Sequence, residues 1–307
     1  MRKVLVATVK PFAPAAVSEI KSIVEQAGYE FVLLEKYGDQ SDLVAAVKDA
    51  DALIIRSDKV TKEVLDNAEK LKIVVRAGAG YDNVDLDAAT AKGVVVMNTP
   101  GQNSNAVAEL ALGMMVYLAR NRFNGKPGTE LKGKTLGIHA YGHVGKRVAE
   151  IAKGFGMKLS AFDPFIPKET IEKDGVTALD SVEDLYKNNQ YISLHIPATE
   201  QTRKSINFRL LSLMPQNAVL VNTARKEVID EDDLLKMFAE REDFKYISDI
   251  APDCADEIAQ KYPDRYFFTP KKMGAQTAEA NINAGIAAAR QIVNFFEKGD
   301  TTFQVNK

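Results

Sequence analysis

The chain has 307 residues, 46% of them hydrophobic and 27% charged, with a formal net charge of −2 and no tryptophan. That is an ordinary globular composition, long enough for two domains, and its near-neutral charge gives no basis for nucleic-acid or anionic-membrane binding. A single cysteine, Cys254, excludes an internal disulfide framework and suits a reducing cytoplasm, and no apolar run approaches the roughly 20 residues of a membrane span.

Lys3 to Thr8 reads as a first strand, without the apolar h-region and cleavage site of a leader. A helix follows with Val17, Ile20, Ile23 and Val24 on one face and Gly28 as its stop. Short strands are expected at Phe31–Leu34, Leu53–Ile55, Ile73–Val75 and Val94–Met97, separated by helical segments near Asp42–Lys48, Lys62–Lys70 and Leu86–Lys92. Strands alternating with helices imply a parallel α/β sheet. Thr99-Pro100-Gly101 interrupts the pattern and marks a boundary. Ser104 to Arg122 then reads as one long helix, and Phe123 to Lys134 as a loop. The alternation resumes with helices at Val182–Lys187 and Asp232–Glu240, strands at Tyr191–Leu194, Ala218–Asn222, Tyr246–Ser248 and Tyr266–Phe268, and a final helix Thr277–Lys298 long enough to return to the first domain.

The most informative stretch is Thr135 to Asp163. A buried strand (Leu136–Ala140) leads into the turn Ala140-Tyr141-Gly142-His143-Val144-Gly145, then a helix closed by Gly154 and Gly156, then a strand Lys158–Phe162 ending on Asp163. This is a βαβ unit with a dinucleotide fingerprint: a small-residue turn, a helix N-terminus for pyrophosphate, and an acid about 20 residues on for the ribose. The first glycine position holds Ala140, which reads as a place needing smallness more than left-handed backbone. Asp163, with no arginine nearby for a 2′-phosphate, points to NAD over NADP.

Four further stretches fall where parallel strands end, the place where α/β folds bind ligands: Arg76 to Asp85, Leu194 to Pro197, Val221 to Arg225, and Ser248 to Ile250. Gly78 and Gly80 permit either close ligand approach or a plain tight turn. Arg225 suits a bidentate grip on a carboxylate or a surface ion pair.

Together, RAGAGYDNVD (76–85), NTPGQNSNAVAE (98–109), AYGHVGKRVA (140–149), FDP (162–164), LHIPATEQT (194–202), LVNTARKEVIDEDDLL (220–235) and GAQTAEA (274–280) resemble the D-isomer-specific 2-hydroxyacid dehydrogenases over almost the whole chain. Ile54-Ile55-Arg56-Ser57 with Lys59-Val60-Thr61 looks most like the members that oxidise D-3-phosphoglycerate, in a short form without a C-terminal regulatory domain. The resemblance implies two Rossmann-like or flavodoxin-like parallel-sheet domains with a cleft between them. Residues 1–99 and 278–307 would bind substrate and 100–277 would bind NAD.

It implies roles residue by residue. Ala140, Gly142, His143, Val144 and Gly145 would sit at the pyrophosphate and Asp163 on the ribose. His195, Ile196 and Pro197 would lie beside the cofactor, and Thr223, Ala224, Asp249, Gly274 and Ala275 would border the nicotinamide side. Arg225 would hold the substrate carboxylate, Arg56 with Ser57 the phosphate, and Gly78, Ala79, Gly80 and Asn103 would line the substrate. No metal is implied, and a homodimer is expected through the apolar helix carrying Met114, Met115, Val116, Tyr117 and Leu118.

Two positions depart from the family pattern. Its catalytic histidine follows Thr-Pro, where this chain reads Thr269-Pro270-Lys271-Lys272-Met273-Gly274-Ala275, and its orienting glutamate is Cys254 here. A lysine is therefore the expected acid–base: Lys272 on a Met273-Gly274-Ala275 anchor, Lys271 on a Thr269-Pro270 anchor. The expected function is NAD-dependent oxidation of D-3-phosphoglycerate. The alternatives are another 2-hydroxyacid substrate (glyoxylate, hydroxypyruvate or D-lactate) and a catalytically inactive NAD-sensing protein.

Overall fold

A computed structural model describes residues 1–306, and the way its first strand buries both faces sets the architecture. Side chains alternate across a strand. In β1 (Lys3–Thr8), Val4 and Val6 enter one core while Leu5 and Ala7 enter another. A strand apolar on both faces must be covered by helices on both sides, the condition for a parallel sheet. With β2 (Glu30–Glu35), β3 (Ala52–Ile55), β4 (Ile73–Arg76) and β5 (Val95–Asn98), it forms a five-stranded parallel sheet in the order β2-β1-β3-β4-β5. Helices Pro14–Gln26 and Ala278–Lys298 cover one face and pack on each other. They approach closely because Gly285 has no Cβ: one placed there would meet Ile20 at 2.8 Å and Phe12 at 3.0 Å. The short helices Gln40–Ala46, Lys62–Asn67 and Leu86–Ala91 cover the other face.

The chain divides into two compact units, Met1–Asn103 with Gln276–Lys307, and Ser104–Ala275. The second holds β6 (Thr135–His139), β7 (Lys158–Phe162), β8 (Thr177–Ala178), β9 (Tyr191–Leu194), β10 (Val219–Asn222), β11 (Lys245–Ser248) and β12 (Tyr266–Phe268). They form a parallel sheet ordered β12-β11-β10-β9-β6-β7-β8. Helices Ser104–Ala119 and His143–Gly154 cover one face, and Val182–Asn188, Phe208–Leu211 and Glu231–Glu240 the other. Strand order reverses between β1 and β3 in the first sheet and between β6 and β9 in the second. Such switch points open a crevice at the carboxyl ends of the strands.

The structure corrects several details of the sequence reading. The long helix stops at Ala119 rather than Arg122, and Asn121, Arg122 and Phe123 all take left-handed backbone, with φ of 50°, 57° and 55°. The Arg122 guanidinium holds that turn by donating to the Pro263 and Tyr266 carbonyls and lying 5.5 Å over the Tyr266 ring. Met114, Met115 and Leu118 of this helix are buried inside their own unit, whereas Val116 and Tyr117 are half-buried. Helices Lys168–Lys173, Phe208–Leu211 and Ala255–Lys261, and strand β8, were not foreseen; each is seven residues or shorter. Such segments carry too few turns for periodicity to register.

Candidate active site

The fingerprint turn lies at the β6/β9 switch point. The strand ends at His139, and Ala140 adopts φ +78°. The position therefore does demand left-handed backbone, and alanine accepts a strain that glycine would avoid. Gly145 is buried against it: a Cβ there would collide with the Ala140 carbonyl oxygen, so the helix can start this close to the strand only with glycine. Gly142 caps the helix His143–Gly154 with no side-chain bond to the first turn, which leaves backbone N–H groups available to an anion. His143 is exposed beside them and Val144 half-buried.

Asp163, at the end of β7, accepts from Tyr141 N (2.7 Å) and Phe165 N (2.8 Å). It braces the turn as well as offering lone pairs outward. Tyr141 anchors the turn from beneath, its ring fully buried and its hydroxyl donating to Asp174 (3.2 Å). A turn with glycine at 142 and 145, a helix start without a side-chain cap and a terminal acid together fit a dinucleotide.

Beside this turn, at the end of β9, the His195 amide donates to the His139 carbonyl (2.9 Å). Its ring lies between Ser193 Oγ (2.9 Å) and Thr223 Oγ1 (3.4 Å). Burial first, and His139 second, push its pKa down to about 3, and burial pushes His139 down to about 4, so both are neutral near pH 7. Ile196 is committed to the core while Pro197 is exposed.

Two cations meet at the ends of β10 and β11. Asn222 caps the next turn, accepting from Ala224 N (2.9 Å) and donating to Arg225 O (3.0 Å). The Ala224 carbonyl accepts from both Lys272 Nζ (2.5 Å) and Arg225 Nη1 (3.2 Å). No carboxylate among the described residues pairs with Arg225. Desolvation first, and the Arg225 charge second, lower the Lys272 pKa to about 8, against opposing pulls from Asp249 and Glu227. Lys272 as a whole residue is exposed.

Lys271 is exposed and touches this loop only through its carbonyl, which accepts from Thr269 Oγ1 (2.8 Å). Of the two lysines, Lys272 is the one brought to Arg225. Cys254 is half-buried with its amide on Glu231 (2.9 Å), and burial with the Glu231 charge pushes its thiol up to about 12. It is an un-ionised thiol where the family pattern has an acid.

In the other unit, register sets Arg76 opposite Ile55, so Arg56 and Arg76 leave adjacent strand ends. Arg56 donates to the Lys10 and Pro11 carbonyls (both 2.9 Å) and to Asn281 Oδ1 (2.5 Å), and lies 5.0 Å over the Phe12 ring. None of its acceptors is charged. Buried Asp58 shapes the loop, accepting from Val9 N (2.7 Å), Tyr37 OH (2.8 Å) and Arg56 N (3.3 Å). Ser57 is exposed.

Arg76 opens one of the strand-end stretches singled out in the sequence but was given no role there. Its Nε is buried without a partner, and its guanidinium occupies the space a Cβ on Gly78 would need, with Gly78 at φ +152°. Burial lowers its pKa; Asp82 opposes and Arg56 adds to the effect. The residue reads as an ordinary strand end unless one asks what would pair it. Gly80 and Asn103 are half-buried, and Ala79 offers its carbonyl to Asn98 Nδ2 (2.6 Å).

The family model for the D-isomer specific 2-hydroxyacid dehydrogenase catalytic domain matches residues 5–306. The chain is 40% identical over 275 residues to D-3-phosphoglycerate dehydrogenase of Methanocaldococcus jannaschii, covering 82% of this chain and 51% of that protein. It thus spans about half the length of that relative. It is 36% identical over 285 residues to hydroxypyruvate reductase of Thermotoga maritima, covering 86% and 90% of the two chains. The crystal structure of NAD+-bound 3-phosphoglycerate dehydrogenase from Entamoeba histolytica is similar over the full chain and 99% of its own, with 49% identity and a TM-score of 0.85. The matched model, these identities and the two parallel sheets agree: the chain belongs to the D-isomer-specific 2-hydroxyacid dehydrogenase family.

Proposed function

We propose that the protein is an NAD-dependent dehydrogenase that interconverts D-3-phosphoglycerate and 3-phosphohydroxypyruvate. The observation that carries this reading is the pair of cations on one carbonyl: Lys272 and Arg225 both donate to Ala224 O, in the unit that holds the dinucleotide turn. The turn, with the His143 helix start and Asp163, takes the pyrophosphate and ribose, and the carboxylate of Asp163 repels a 2′-phosphate. NAD, when bound, supplies the hydride acceptor.

The chain's own groups do the rest. Arg225 grips the substrate carboxylate through two parallel N–H donors. Lys272, as an ammonium, gives a proton to the carbonyl oxygen during reduction. As a neutral amine it takes the hydroxyl proton during oxidation. A pKa near 8 leaves both forms accessible close to neutrality, where an unperturbed lysine at about 10.4 offers almost no base. Arg56 and Arg76, which form no salt bridge among the described residues although Asp58 and Asp82 lie near enough to act on them, take the phosphate.

A second reading, hydroxypyruvate as substrate, is favoured by the similarity to the Thermotoga maritima enzyme along 90% of its length. The test is NADH consumption with phosphohydroxypyruvate, hydroxypyruvate, glyoxylate and pyruvate side by side. Preference for the phosphorylated ketone by about tenfold or more in kcat/KM is expected. Equal rates with hydroxypyruvate transfer the assignment to the second reading, and no oxidation of NADH with any of the four removes both.

A further inference from the structure

Asp249 closes β11 with its amide on the Asn222 carbonyl (2.9 Å) and its carboxylate 1% exposed. Three donors converge on that carboxylate, all from the loop after β12. Oδ1 accepts from Met273 N (2.7 Å) and from Thr269 Oγ1 (3.0 Å), and Oδ2 accepts from Gly274 N (2.7 Å). Three of its roughly four lone-pair sites are thereby used inside the protein. Thr269 is itself 3% exposed, and its one hydroxyl proton is shared between Asp249 Oδ1 (3.0 Å) and the Lys271 carbonyl (2.8 Å), so the two backbone amides are the firm donors. Gly274 admits the arrangement because a Cβ there would stand 2.9 Å from Asp249 Oδ2 and 3.1 Å from Val107 Cγ2. Lys272 lies between these fixed points, flanked by Thr269 on one side and Met273 on the other. Its backbone has little freedom left, and its side chain reaches the Ala224 carbonyl.

We propose that Asp249 is the positioning residue for Lys272: its carboxylate folds the 269–274 loop around itself and so delivers the ammonium to Arg225. The inference rests on the acid–base reading of Lys272 given above. In the family pattern a glutamate orients a histidine by direct contact. Here the carboxylate acts one step back, through backbone amides, and never touches the amine. The device suits a lysine. A carboxylate in contact with Nζ would hold it as an ammonium and remove the base needed for oxidation, whereas one spent on three N–H and O–H donors orients the group and raises its basicity only mildly. Asn222 does the same for Arg225 from the neighbouring strand end, so adjacent residues in register, Asn222 and Ser248 followed by Asp249, brace the two cations.

Two measurements on Asp249→Asn and Thr269→Val test it, with Lys272→Ala and the Asp249→Asn/Lys272→Ala double variant alongside. The first needs no turnover: labelling of amines with acetic anhydride across pH, read by peptide mass spectrometry. Freed from the clamp, Lys272 should label at least threefold faster in Asp249→Asn and with a lower apparent pKa, since Arg225 and Glu227 still face it and the Asp249 charge does not. Lys271 should be unchanged. Thr269→Val should shift the labelling less, and Thr269→Ser should restore it. The second is kcat for NADH with phosphohydroxypyruvate at saturation, with NADH affinity measured separately by fluorescence. Asp249→Asn should lower kcat at least tenfold, change NADH affinity less than threefold, and add no more than twofold to Lys272→Ala. Unchanged labelling of Lys272 overturns the clamp. Weakened NADH binding with kcat intact also overturns it, making Asp249 a cofactor ligand. Altered labelling in an enzyme whose Lys272→Ala variant keeps full kcat leaves the clamp standing and removes the acid–base reading instead.

Discussion

At the carboxyl edge of the 104–275 sheet, polar side chains are satisfied within the unit: His195 between Ser193 and Thr223, Asn222 on the Ala224–Arg225 turn, Asp249 on three donors. The 1–103/276–306 unit is different. All four buried side-chain atoms left without a partner among the described residues belong to it: Glu35 Oε1, Arg76 Nε, Thr99 Oγ1 and Gln291 Oε1. Its two strand-end guanidiniums carry only neutral acceptors or none. Under the proposed function, the contrast follows from what each edge would have to do. A proton-transfer group must be held in one orientation, so its surroundings are spent on it. A cation that is to receive a dianion is most useful if nothing else neutralises it, and the free protein bears that cost until a ligand arrives.

Removal of Lys272 tests the satisfied edge most severely. Lys272→Ala should lower kcat for ketone reduction by about 100-fold, a usual general-acid contribution, with Lys271→Ala within twofold of the unaltered enzyme by the same assay. A loss below tenfold for Lys272→Ala would mean the ordered loop serves some other end. At the unsatisfied edge, Arg76→Met should lower kcat/KM for a phosphorylated substrate by ten- to a hundredfold while sparing a non-phosphorylated analogue. It should also raise the stability of the free protein by about 1 kcal/mol in denaturant titration, because an unpaired buried donor is gone. Loss of stability without loss of phosphate discrimination would show Arg76 to be structural.

The pH profiles should separate the two directions of reaction. With Lys272 near 8, kcat for reduction should fall as pH rises through about 8 and kcat for oxidation should rise over the same span. Parallel profiles would exclude Lys272 as the shared group.

Acid should act unequally on the two units, because all three histidines, His139, His143 and His195, lie in the second. His139 and His195 are held neutral by burial, with pKa values near 4 and 3 against about 6.5 unfolded. The unfolded chain binds more protons in that interval, so the stability they confer is complete above pH 6.5 and lost as pH falls toward 4. Amide protection factors, corrected for the intrinsic slowing of exchange in acid, should therefore fall in 104–275 between pH 6.5 and 5 more than in 1–103. An equal fall in protection in both units would contradict this. The smallest effect is expected from Ala140→Gly, which should add up to about 1 kcal/mol of stability by relieving a left-handed alanine, read from the denaturant midpoint.

Much of the molecule was legible from local pattern. Strands such as β3 and β10, apolar without interruption, announce burial on both faces, and alternation with helices then allows little but parallel sheets. The βαβ stretch 135–163 carries its turn, helix and terminal acid in one contiguous run, so sequence spacing alone marked it as the candidate dinucleotide turn. Because they are set by neighbours in the chain, these features need no knowledge of what packs against them. Long-range geometry decided the rest. Lys271 and Lys272 are equivalent as letters; only the folded loop, tied to Asp249 through the amides of Met273 and Gly274, brings the Lys272 amine and not the Lys271 amine to the Ala224 carbonyl. Arg76 looks like any strand-end arginine until the fold sets it beside Arg56 and leaves its Nε unpaired. Ala140 seems a tolerated small residue until the strand-to-helix path requires φ +78°. Orientation, pairing and strain depend on atoms that meet only when distant segments pack, and for that reason they belong to the tertiary structure.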